Sequence, residues 1–87
     1  MDLENKFLDA QQRSKKLDHQ SNNNLLDLYS LYKQATEGDI KGNRPGMFDL
    51  KGGAKYDAWN LRQGMLREEA MESYIELVNR LESESQI

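Results

Sequence analysis

The sequence predicts an all-α protein, a four-helix bundle with a long loop between helices 2 and 3. Apolar residues recur at helical spacing in four separate segments, and no window shows the sustained alternation of a strand. Three glycines and the only proline are concentrated in one thirteen-residue stretch, which breaks the pattern once and for long. Eighty-seven residues without a cysteine make one domain, residues 1–87, near the small end of what folds without disulfides or metal.

The first helix is expected over residues 3–16, with Phe7, Ala10 and Leu17 at helical spacing. Its apolar stripe is thin, because Gln11 and Ser14 stand where a richer face would continue. "DHQSNNN" reads as a polar loop in which Ser21 or Asn22 caps the next helix. That helix, residues 22–36, has the clearest pattern. At about 100° per residue, Leu25, Leu28, Leu31, Tyr32 and Ala35 share one face, and Leu26, Tyr29 and Lys33 lie together on its shoulder. "EGDIKGNRPGMFD" follows as a loop, and loops this long in small domains are usually functional or mobile. A third helix over 51–62 carries Ala54, Ala58 and Leu61, with Trp59 beside them. The fourth, 66–84, places Ala70, Tyr74, Leu77 and Leu81 on one stripe, flanked by Met71, Ile75 and Val78.

Composition excludes several functions. The absence of cysteine removes thiolate metal sites and thiol nucleophiles, and the single histidine, His19, removes any two-histidine site. Neither H-E-x-x-H nor a P-loop occurs, no carboxylate pair is marked out, and His19 sits in a polar loop. No catalytic residues and no metal site are therefore expected. No run approaches a membrane span, and "MDLENKFLDA" does not read as a signal peptide, so a soluble intracellular protein is expected.

A net charge of −3 argues against nucleic-acid binding. The charge is nevertheless uneven. Residues 33–67 hold seven basic and four acidic groups, whereas the last twenty hold one basic and six acidic. A net positive middle suits a compact anionic ligand, although solvated charge mosaics are equally common. Tyr29 and Lys33 are one turn apart, so their tips can meet over one patch. Lys55 opens the third helix and Tyr74 lies mid-stripe on the fourth. Phosphates take ammonium and hydroxyl donors, and an aromatic base stacks on a flat ring. A tyrosine at the edge of a stripe is more often core with a wet hydroxyl, and a lysine is nearly always solvated. Spacing alone leaves both readings open.

The motifs go further. "YSLYKQATEGDI", then "RPGMFDLKGGAKYDAW", then "EEAMESYIELVNRLE" occur in order and at the right separations, and together they strongly resemble the acyl-CoA-binding protein family. The resemblance runs from about Phe7 to about Leu81. It implies an up-down-down-up arrangement of the four helices. It also implies a carrier or buffer for long-chain fatty-acyl-CoA thioesters, not an enzyme, with the CoA head near the surface and the acyl chain in a groove. The resemblance assigns Tyr29 and Lys33 to the CoA phosphates and adenine region, with Tyr32 as the second tyrosine of that turn. It sets Lys55 at the ribose 3′-phosphate, Tyr74 beside the adenine, and Lys15 as a ligand-facing lysine of the first helix. Leu25, Leu26 and Ala54 match positions near the acyl chain. A cytoplasmic monomer is expected, with acyl-CoA as its small-molecule ligand, no cofactor and no stable membrane insertion.

Several residues depart from the family pattern. The first loop is slightly short and lacks its usual proline, and Ser14 replaces an apolar residue. Tyr56 replaces a tryptophan, Gly53 stands where a lysine is common, and the tail "ESESQI" is acidic. Leu66 falls at an N-cap, a loss of about 1 kcal/mol. These departures sustain a rival reading, a helical protein-interaction module with a weakened ligand site.

Overall fold

The computed structural model describes residues 1–85. Four helices account for its regular structure: α1 (Leu3–Ser14), α2 (Asn22–Glu37), α3 (Leu50–Asn60) and α4 (Arg67–Glu84), with no strand among the described residues. Three begin with a side-chain cap. Asp2, Ser21 and Asp49 each accept a hydrogen bond from the backbone N–H three residues on. At α4 the cap residue is Leu66, which has no side-chain acceptor. Glu69 turns back to accept from the Leu66 N–H at 3.1 Å, and this offsets part of the cost expected there. α2 stops at Gly38, whose φ of +78° closes the helix while its N–H bonds to Gln34 O.

Contacts between named residues fix the directions. Leu3 and Lys6 lie beside Glu72 and Ile75, while Arg13 reaches Asn79 and Glu82, so α1 and α4 run parallel. Gln34, near the end of α2, bonds to Met65 O just before α4, so these two are antiparallel. Leu25 and Leu26 face Leu50, and Gln34 faces Trp59, so α2 and α3 run the same way. The arrangement is up-down-down-up. α4 packs on both α1 and α2, and α3 packs on α2.

The core consists of Phe7, Ala10, Leu28, Leu31, Ala35, Ala70, Tyr74, Leu77, Val78 and Leu81. The fourth helix supplies the expected stripe with Val78 added. Leu25 shares the α2 face yet is 50% exposed and lines a space between α2 and α3. The expected third helix fails at its end. Leu61 is 85% exposed, because α3 ends at Asn60 and residues 61–63 continue as i→i+3 turns. α3 contributes only Gly53 to the fully buried set.

Polar contacts hold what apolar burial does not. Gln34 is fully buried: its amide donates to Asp39 at 2.9 Å and to Met65 O at 2.8 Å, and its carbonyl accepts from the Trp59 indole at 3.2 Å. Ser30, also fully buried, accepts from Arg62 Nε at 3.1 Å. Two polar residues on the apolar side of α2 thus tie the loop, α3 and the start of α4 to one helix.

Candidate functional site

Because α3 packs on α2 alone, a groove of about 560 Å³ opens between them. Asn22, Leu25, Leu26 and Tyr29 form one wall, and Leu50, Lys51, Ala54 and Lys55 the other. Ala54 keeps this side of α3 shallow, and the leucines make the lining apolar. A second depression of about 220 Å³ continues along α3 toward the long loop. Ile40, Lys41, Asn43 and Pro45 of that loop line it together with Tyr56 and Trp59. Tyr29 and Lys55 line both spaces, so the apolar and polar compartments meet at this pair.

The Lys55 ammonium lies 5.2 Å from the Tyr29 ring centroid, a cation–π contact. Lys33 lies one turn further on, with its ammonium 5.0 Å from the Trp59 ring centroid and paired with Glu37. The Glu37 carboxylate raises the Lys33 pKa above the usual lysine value, against the opposing effect of desolvation. Trp59 is itself fixed, since its indole N–H donates to Gly38 O at 2.9 Å. Packing and a cation platform are therefore combined in that one ring.

The loop beside the groove is pinned to α3. Arg44 makes a two-pronged pair with Asp57, both contacts at 3.0 Å, and Tyr56 donates its hydroxyl to Gly42 O at 3.0 Å. The phenol at position 56 thus finds an acceptor in the loop. Arg44 also covers Gly53 so closely that an added Cβ would come within 2.8 Å of Nη2. A guanidinium stands over the position where the sequence lacks a lysine, its charge balanced by Asp57.

The remaining sequence-predicted residues divide. Leu25, Leu26 and Ala54 line the apolar groove with Tyr29 and Lys55. Tyr32 lies toward α1, its ring stacked on Phe7 at 6.3 Å between centroids. Tyr74 is buried against the other side of Phe7, edge-on at 5.2 Å, and its hydroxyl donates to Ser14 Oγ at 3.0 Å. Burial raises the Tyr74 pKa, and the bond to Ser14 opposes the rise. Lys15 is the exposed C-cap of α1 and lines neither compartment. The structure therefore brings Tyr29 and Lys55 together, sets Lys33 over Trp59, which lines the polar depression, and sets Tyr32 and Tyr74 around Phe7.

Sequence reading missed Asn22, Leu50 and Lys51 in the groove and Lys41 beside it. Lys51 is legible from spacing, being four residues before Lys55 and hence on the same helix face. Lys41 is not, because a loop has no periodicity. An apolar slot that ends in lysines and a phenol suits an amphiphile with an apolar tail and an anionic head.

That geometry defines a small helical ligand-binding protein, and comparison with known proteins specifies the kind. The family model described as acyl CoA binding protein matches residues 4–78. The chain belongs to the acyl-CoA-binding protein family. It is 43% identical to the acyl-CoA-binding protein of Ricinus communis over 86 residues, covering 98% of this chain and 96% of that one. It is 49% identical to acyl-CoA-binding protein homolog 1 of Caenorhabditis elegans over 61 residues, 70% of this chain and 71% of that one. The crystal structure of Oryza sativa acyl-CoA-binding protein 2 superposes with a TM-score of 0.94 at 43% identity, over 98% of this chain and 96% of that chain.

Proposed function

We propose that residues 1–87 work as one acyl-CoA-binding domain that carries long-chain fatty-acyl-CoA thioesters as a cytoplasmic monomer, without catalysing a reaction on them. The observation that carries this reading is the junction at Tyr29 and Lys55, where an apolar groove meets a cationic, hydroxyl-bearing depression in a member of this family. In this reading the acyl chain lies along Leu25, Leu26, Leu50 and Ala54. The phosphates and adenine region are met by Tyr29, Lys33 and Lys55, with Tyr32, Tyr74 and Lys15 as further head-group residues. Lys33 exchanges Glu37 for a ligand phosphate, which reduces its net contribution because one anion replaces another.

The two ends of the ligand have separate jobs. Charge-assisted contacts at the head select CoA, at about 1.5–3 kcal/mol each. The chain supplies affinity at about 0.8 kcal/mol per buried CH₂, so two further carbons add about 1.6 kcal/mol, roughly fifteenfold before ordering costs. Free CoA should therefore bind weakly, and free fatty acid should be mostly ignored.

Calorimetric titration with palmitoyl-CoA, with CoA and palmitate as controls, tests this directly. One-to-one binding of the thioester with much weaker controls is expected. Lys55→Ala and Lys33→Ala should each weaken it by about tenfold to a hundredfold, Lys33→Ala less, with helicity unchanged. Equal affinity for palmitate and palmitoyl-CoA would sink the head-group roles. No binding of the thioester at all would favour the rival reading, an interaction module on the same fold.

A further inference from the structure

Among the described residues, Leu61 and Met1 are strongly exposed singly, but three other large apolar side chains that face water are clustered. Phe48 is 95% exposed, Leu50 80% and Met47 76%, and they occur within four consecutive residues. Met47 and Phe48 occupy the two central positions of a turn closed by the Asp49 N–H on Gly46 O at 3.0 Å. Turn corners normally carry Gly, Asn, Asp or Ser, which water solvates well. Here they hold a phenylalanine and a methionine that touch neither the core cluster nor either compartment of the candidate site. Leu50, two residues on, stands at the entrance of the apolar groove.

The charge around this tip is one-sided. Residues 40–57 hold four basic groups, Lys41, Arg44, Lys51 and Lys55, against Asp49 and Asp57, and Arg44 is paired with Asp57, which leaves the three lysines. Asp49 is occupied in capping α3. α4, which holds Glu68, Glu69, Glu72, Glu76, Glu82 and Glu84, packs on α2 and α1 and not on α3. A protein of net charge −3 therefore presents a positive end that carries its apolar tip.

We propose that the 46–50 turn docks reversibly on an anionic phospholipid surface. Met47 and Phe48 enter the headgroup region, and Lys41 and Lys51 face the lipid phosphates and carboxylates. Two apolar side chains and a few lysines make a weak, reversible contact of the kind expected for a peripheral protein. The geometry sets the groove entrance at Leu50 against the bilayer, so an acyl chain would pass between lipid and protein without crossing open water. Only that last consequence rests on the acyl-CoA reading. The docking itself rests on the tip and the charge around it.

The test is co-sedimentation of the ligand-free protein with vesicles of phosphatidylcholine, alone and mixed with phosphatidylserine, at low and high salt. Binding should require phosphatidylserine and fall with salt. The double variant M47S/F48S should bind about tenfold or more weakly, with circular dichroism unchanged and palmitoyl-CoA affinity in vesicle-free solution within about twofold of wild type. Absence of wild-type binding to mixed vesicles at low salt, or equal binding by the variant, overturns the proposal. Loss of solution affinity for palmitoyl-CoA in the variant would make the tip part of the groove and overturn it too. A concentration-dependent dimer in sedimentation velocity, abolished by the variant, would assign the tip to a second copy instead. Because vesicle binding is read without ligand, its failure is distinct from failure of the acyl-CoA reading.

Discussion

The α1–α4 pair and the α2–α3 pair are packed by different means. α4 buries Ala70, Tyr74, Leu77, Val78 and Leu81 against α1 and α2, and Phe7 and Ala10 complete a continuous apolar seam. α3 buries only Gly53. It is held by Arg44 on Asp57, Tyr56 on Gly42, Trp59 on Gly38 and Gln34, and Arg62 on Ser30. Apolar burial is worth about 1.5–3 kcal/mol per large side chain, whereas a neutral hydrogen bond such as that of Tyr56 or Trp59 adds about 1 kcal/mol. One half of the molecule is therefore a sealed frame. The other is a side chapel of lower intrinsic stability, with unfilled space between its helices, and the candidate site occupies that half. Elements that open or accommodate ligands are drawn from the low-stability end of a structure.

The largest effect that probes this contrast is a pair of leucine truncations. Leu81→Ala, in the sealed seam, should cost about 3 kcal/mol by urea unfolding. Leu61→Ala, at the exposed end of α3, should stay within about 0.5 kcal/mol. Equal costs would mean that the two halves are not packed differently.

Gln34→Leu tests whether one buried amide holds the two halves together. It strands Met65 O and removes one acceptor from Trp59, which keeps Gly38 O. A loss of about 2 kcal/mol is expected. The fluorescence of the single tryptophan should also shift, because its environment is set by the same contact. A stability change without a fluorescence change would confine Gln34 to the α2–α4 junction.

A smaller effect is expected within the sealed half. Tyr74→Phe removes the hydroxyl that meets Ser14 and keeps the ring against Phe7, so about 1 kcal/mol should be lost. If palmitoyl-CoA affinity falls as well, the hydroxyl serves the ligand in addition to the core, and the division between frame and site is less sharp.

The mildest test is acidification. Asp39 accepts from Gly64 N–H and from Gln34, and these bonds hold its carboxyl below the usual carboxylate pKa. A group depressed in the folded state stabilises it above the ordinary carboxylate value and loses that contribution as pH falls through the folded one. The loss therefore belongs below about pH 4. Asp39→Asn should flatten the acid limb of a stability–pH curve and leave neutral-pH ligand binding in place. An unchanged acid limb would mean that the carboxylate contributes nothing through these bonds.

The frame was legible in the sequence and the chapel was not, for a physical reason. Phe7, Ala10, Leu28, Leu31, Ala35, Tyr74, Leu77 and Leu81 follow the helical period because burial between two helices demands it. α3 has little to bury, so its apolar pattern is weak and runs on past the end of the helix to Leu61. Leu25 matched the stripe of α2 yet faces the groove, since periodicity gives a face and cannot say what covers it. The buried Gln34 and Ser30 left no mark, because a polar residue on an apolar face is recognisable as a hub only once its partners are known.

The sequence by itself determined four helices, their order, the long break between the second and third, and the motifs that carry membership in the family. These depend on local propensity and on residues near one another in the chain. The tertiary structure decided which residues share a wall. It set Lys55 over Tyr29 and Lys33 over Trp59, put Arg44 in the space above Gly53, and turned Tyr74 toward Ser14. Those meetings join residues up to sixty positions apart. They depend on how helices without a common period come to lie side by side, which packing settles and spacing does not.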